Sequence, residues 1–73
     1  MAIIRALPLR QLEIEAKHTE ADATYCWVKD GDGVRYLQID TYGSSERDIP
    51  GKKSQTIRFS PEAQSALRRI LGS

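Results

Sequence analysis

Residues 24–42, TYCWVKDGDGVRYLQIDTY, decide the fold. Two runs of alternating residues, 24–30 and 34–42, flank Gly31-Asp32-Gly33, a trio tolerant of the positive φ that a tight hairpin demands. The same stretch holds Trp27, Tyr36 and Tyr42 in a chain with few other aromatics, and Tyr25 stands beside them. Period-2 alternation divides each run between two faces. Cys26 and Val28 are expected to join Leu37 and Ile39 on an aliphatic face. Tyr25, Trp27 and Lys29 are expected to join Tyr36, Gln38, Asp40 and Tyr42 on an aromatic one. The DGDG core does not make a calcium loop. An EF-hand needs an oxygen ligand where Val34 stands and a bidentate Glu where Thr41 stands.

Outward from the hairpin, QLEIEAK (11–17) alternates Leu12, Ile14 and Ala16 against polar neighbours and reads as a half-buried strand, with a helix as the alternative since Glu, Leu and Ala all favour one. Before it, residues 1–11 hold aliphatics around Pro8 without a period and read as an extended N-terminal arm, with Ile3, Ile4 and Leu7 available to add a short strand, cover the sheet or bind a partner. Downstream, 43–54 is rich in Gly, Ser, Pro and charge and reads as a long loop. QTIRFS then supplies a strand with Ile57 and Phe59 inward, Thr56 and Arg58 outward. A helix follows. Ser60 suits the N-cap, Pro61 the first helical position and Glu62 the positive end of the dipole. Ala63, Ala66, Leu67 and Ile70 share one face, and Gly72 is placed to end the helix. Four strands and then a helix predict an α+β domain over 12–73, an antiparallel four-stranded sheet with a C-terminal helix.

Seventy-three residues bury only roughly 60% of the unfolded surface, so a second copy is an attractive source of further burial. Leu67, Ile70 and Leu71 are the residues expected at a homodimer contact, because one helix leaves apolar surface uncovered on a small sheet.

The formal net charge is +1, no signature of a polyanion binder. Its distribution is uneven: residues 1–50 carry a balance of −3 and residues 51–73 a balance of +4. A single cysteine, Cys26, excludes an internal disulfide and fits a reducing cytoplasm. No apolar run approaches a membrane span, and the N-terminal residues lack a signal-peptide core. With one His (His18) and one Cys, a zinc cage lacks ligands, and neither common phosphate loop is present. These residues predict a non-enzyme without a cofactor.

An exposed sheet face with Trp27, Tyr36 and Tyr42, flanked by Lys29, Lys52, Lys53 and Arg58, has the parts of a platform for single-stranded nucleic acid. Rings stack bases while cations hold phosphates. The same rings serve equally well as cross-strand packing or as a contact for a protein partner, and residue types alone favour that structural use.

The order of the pieces resembles the positive cofactor four family of transcriptional coactivators and their small bacterial relatives. The resemblance lies in Val28-Lys29-Asp30…Gly33, Ile39…Tyr42, Pro50-Gly51-Lys52-Lys53 and Pro61-Glu62. It covers residues 12–71 and is detailed from residue 25 onward. It implies a homodimer that binds single-stranded DNA, with Lys29, Tyr42, Lys52 and Lys53 at matching positions. Asp40 stands where the family often has Arg, and Gly43 where it has Trp. The expected function is therefore single-stranded nucleic-acid binding, more readily DNA, with little sequence preference. The alternative is a protein-interaction or accessory subunit using the same face.

Overall fold

The computed structural model describes residues 1–12, 17, 18, 20–42 and 53–72. Its elements are β1 (Ala2–Ile4), β2 (Ala23–Lys29), β3 (Arg35–Tyr42), β4 (Lys53–Phe59) and α1 (Pro61–Gly72). They form one sheet in the order β1-β4-β3-β2, followed by the helix. The α+β class, the strands β2, β3 and β4 and the C-terminal helix agree with the sequence, but the fourth strand comes from the arm and the sheet is mixed. β2–β3 and β3–β4 are antiparallel, whereas β1 lies parallel to β4. The arm supplies this extra strand. Ile4 comes opposite Phe59, and the ladder runs on as Ser60 N–H donates to the Ile4 carbonyl at 3.0 Å. Of the strand expected at 11–17, residues 13–16 lie outside the described residues, and Gln11, Leu12 and Lys17 belong to no strand. The loop expected at 43–54 lies outside them as far as Lys52, and β4 begins at Lys53.

The β2–β3 turn explains a second correction. Asp30 N–H donates to the Val34 carbonyl at 3.0 Å, and Gly33 N–H donates back to the Asp30 carbonyl at 3.1 Å. Gly33 has φ of 82°, the left-handed conformation that ends a three-residue hairpin loop. Asp30 Oδ1 accepts from the N–H groups of both Asp32 and Val34 at 2.9 Å, so its carboxylate builds the turn. An odd loop places residues of equal parity opposite one another, here Trp27 with Leu37 and Tyr25 with Ile39. The face assignment from alternation assumed the other parity and is reversed for β2. Trp27, Tyr25 and Lys29 share the face of Arg35, Leu37, Ile39 and Ile57. Cys26 and Val28 share that of Tyr36, Gln38, Asp40 and Tyr42.

The helix begins as its sequence dictates. Ser60 is fully buried; its Oγ accepts from Ala63 N–H at 3.2 Å and its carbonyl from Gln64 N–H at 2.8 Å. The exposed Glu62 carboxyl is held below its ordinary pKa, first by a hydrogen bond from its own backbone and then by the Ser60 side chain. Gln64 Nε2 donates to the carbonyls of Arg35 (3.0 Å) and Phe59 (2.9 Å), tying the helix to the start of β3 and the end of β4.

Among the described residues only Phe59 and Ala63 are buried apolar side chains. The surface totals 6492 Å², where a folded monomer of 8.2 kDa exposes about 4,500 Å². The extents, 38 × 35 × 19 Å, are those of a thin slab, and the radius of gyration of 14.6 Å exceeds the roughly 11 Å of a compact chain this long. Among the described residues no helix is long and apolar enough to cross a membrane.

Candidate nucleic-acid interface

The register places the seven residues expected to bind nucleic acid on two faces. Trp27 and Lys29 lie on the first, with Tyr25 and Arg35 around them. Trp27 is 46% exposed and Tyr25 71% exposed, while Lys29 and Arg35 are both exposed. The Arg35 guanidinium carbon sits 4.0 Å from the Trp27 ring centroid, a cation–π contact between diagonal neighbours on adjacent strands. At the described positions this face of β2, β3 and β4 carries no carboxylate. Its residues there are Ala23, Tyr25, Trp27, Lys29, Arg35, Leu37, Ile39 and Thr41, with Gln55, Ile57 and Phe59 on β4.

Tyr36, Tyr42 and Arg58 lie on the opposite face, all half-buried. The Tyr42 hydroxyl is 2.9 Å from Thr24 Oγ1. Between the tyrosines runs a row of polar side chains. Arg58 Nε donates to Gln38 Oε1 at 2.9 Å. Gln38 Nε2 donates to both oxygens of Asp40 at 3.2 and 3.1 Å, and Thr56 Oγ1 donates to Asp40 Oδ1 at 2.6 Å. Gln38 and Asp40 are 8% and 5% exposed. Sequence reasoning put both outward on the presumed binding face; the structure buries them. Since Asp40 only accepts and Arg58 only donates, the orientation of the Gln38 amide is fixed by the row. A burial cost is met by hydrogen bonds at each step, and among the described residues no buried side-chain polar atom lacks a partner.

Lys52 lies outside the described residues, and Lys53 is placed only by its backbone, opposite Tyr42. Of the residues expected at a homodimer contact, Leu67 is half-buried, while Ile70 and Leu71 are 53% and 77% exposed. Arg35 is the site residue that sequence reasoning missed. The sequence carried no signal for it, because only the observed three-residue loop sets Arg35 opposite Lys29 and diagonal to Trp27. Among the described residues no cluster of His, Cys, Asp and Glu is arranged to hold a metal ion.

These features define an α+β protein with an open mixed sheet, an aromatic-cationic patch on one face and a buried polar row on the other. Comparison with protein-family models, curated proteins and solved structures finds no match to the chain.

Proposed function

We propose that this chain is a non-catalytic binding protein for single-stranded nucleic acid, DNA more readily than RNA, with little sequence preference. The observation that carries the reading is the patch of Trp27 and Tyr25, exposed beside Lys29 and Arg35 with no carboxylate among the described neighbours on that face. Aromatic rings stack any base, and an Arg lying over Trp27 offers a second planar cationic surface for stacking. Asp40, the residue that argued most against a polyanion, is buried on the opposite face. The resemblance to the positive cofactor four family supports the same activity. In this reading Trp27 and Tyr25 take bases, and Lys29 and Arg35 take phosphates. Tyr36, Tyr42 and Arg58 act elsewhere. Two copies associate through Leu67, Ile70 and Leu71, which would cover part of the surplus surface.

Trp27 is the sole tryptophan, so its fluorescence reports the test directly. Titration with a dT oligomer is expected to quench it, with affinity falling steeply as salt rises, by about 0.7 in log K per log salt for each phosphate contacted. Trp27→Ala, followed by anisotropy of a labelled oligomer, is expected to weaken binding by about 1–3 kcal/mol, the scale of one stacked base. Absence of binding at low salt would overturn the reading.

A protein partner on this patch is the second reading. Half-buried Leu37, Ile39 and Ile57 continue the aromatic surface, giving an apolar centre with a cationic rim. It predicts Trp27 fluorescence that no oligonucleotide alters.

A further inference from the structure

β2 is the last strand of the sheet, and among the described residues only β3 pairs with it. Tyr42 N–H donates to the Asp22 carbonyl at 2.9 Å and Asp30 N–H to the Val34 carbonyl at 3.0 Å, so the even-numbered residues turn their backbone groups toward β3. In an antiparallel ladder, alternate residues face opposite edges. Ala23, Tyr25, Trp27 and Lys29 therefore point their N–H and C=O groups outward. We propose that this edge pairs antiparallel with the same edge of a second copy, with Trp27 on the two-fold axis. The pairing is separate from the α1 contact and does not rest on nucleic-acid binding.

Three observations support it. The first is exposure. Six of the seven residues of β2 are exposed, whereas in β3, which has a strand on each side, only Arg35 is exposed. The second is the lack of the devices that keep sheet edges apart. β2 holds no proline, keeps an unbroken register with β3, and has one charged side chain, Lys29.

The third is complementarity. With the axis at Trp27, this residue meets its own copy, Tyr25 meets Lys29, Cys26 meets Val28 and Thr24 meets Asp30. No like charges face each other in that segment. With the axis at Cys26, Asp22 would meet Asp30, and with it at Tyr25, Glu20 would meet Asp30; like charges directly opposite are destabilising. The Trp27 register gives three hydrogen-bonded pairs, about six backbone bonds. A strand edge covers less than the about 800 Å² per partner of a standard interface, so the pairing is weak and follows association through α1 as concentration rises. Residues opposite one another share a face, so the Trp27, Tyr25, Lys29 and Arg35 patches of the two copies join into one platform.

The test is amide hydrogen exchange on the full chain, residue by residue, as its concentration is raised. The amides of Thr24, Cys26 and Val28 are expected to be protected throughout. Those of Tyr25, Trp27 and Lys29 are expected to exchange fast in dilute solution and to slow by about tenfold once most copies are paired. Ala23 lies beyond the paired segment in this register, and its amide is expected to stay fast. Leu71→Glu is expected to leave the response of Trp27 concentration-dependent, which separates this contact from that of α1. Tyr25→Pro removes an outward N–H at a position where an edge strand admits proline, and is expected to keep the Trp27 amide fast at every concentration. If that variant does not fold, exchange in the unaltered chain decides alone. Fast exchange of Tyr25, Trp27 and Lys29 at all concentrations would overturn the proposal. So would protection that does not depend on concentration, which means an edge covered within one chain, and slowing of Ala23 with the others would overturn the register. No oligonucleotide is present, so dT binding at Trp27 can succeed or fail independently.

Discussion

Asp40 is tolerated at 5% exposure in the middle of β3 because the Gln38 amide and the Thr56 hydroxyl both donate to it. A single residue type therefore gave little guidance: Asp on a strand reads as a solvent-facing position, and only its neighbours Gln38 and, across the strands, Thr56 reveal otherwise. Trp27 and Lys29 were recognisable from composition, since rings and cations in a polar chain stand out. Arg35 was not, because its proximity to Trp27 is a matter of register. Glu62 carries a prediction at this scale. Its folded pKa is lowered, so its contribution to stability is present above the unfolded value and is lost as pH falls through the lowered folded one. Urea midpoints of the parent and of Glu62→Gln are expected to differ most near neutrality and to converge in acid; a constant difference across that range would refute the linkage.

At the scale of elements, the three longer strands and the helix were legible because local chemistry marks them. Alternation picks out β2, β3 and β4, and Ser60-Pro61-Glu62 announces the start of α1. Facing was not legible. A two-residue and a three-residue loop both suit Gly31-Asp32-Gly33, yet they assign β2 to opposite faces, and only the hydrogen bonds of Asp30 and Gly33 choose between them. β1 was foreseen only as a short strand that the arm could hold, because Ala2–Ile4 is too short to show a period and a parallel partner far along the chain leaves no local trace. Gly33→Ala places a Cβ at φ of 82° with open space around it, so the expected cost is backbone strain alone, about 1–2 kcal/mol. Gly31→Ala, where φ is not positive and nothing lies within 4 Å, is expected to be close to neutral. Equal losses in chemical denaturation would contradict the three-residue loop.

At the scale of the molecule, the slab exposes about 2,000 Å² beyond what a monomer of its mass normally shows. A standard interface removes about 800 Å² from each partner, so a second copy fits within that surplus. Ile70 and Leu71 at the end of α1 are prominent members of it. Sedimentation equilibrium is expected to give twice the chain mass, and Leu71→Glu is expected to shift the species toward the monomer without loss of helical circular dichroism. A parent that sediments as a monomer at all concentrations would remove the homodimer from the proposal.

The parallel pairing of β1 with β4 also sets an order of assembly. The β2–β3 hairpin closes over a few residues, and β3–β4 over a longer connection, but Ala2 must wait for Ile57. On a ribosome the strand made first therefore finds its neighbour last, after Arg58 has emerged. The sheet edge that β1 forms is thus the last of its strands to be put in place.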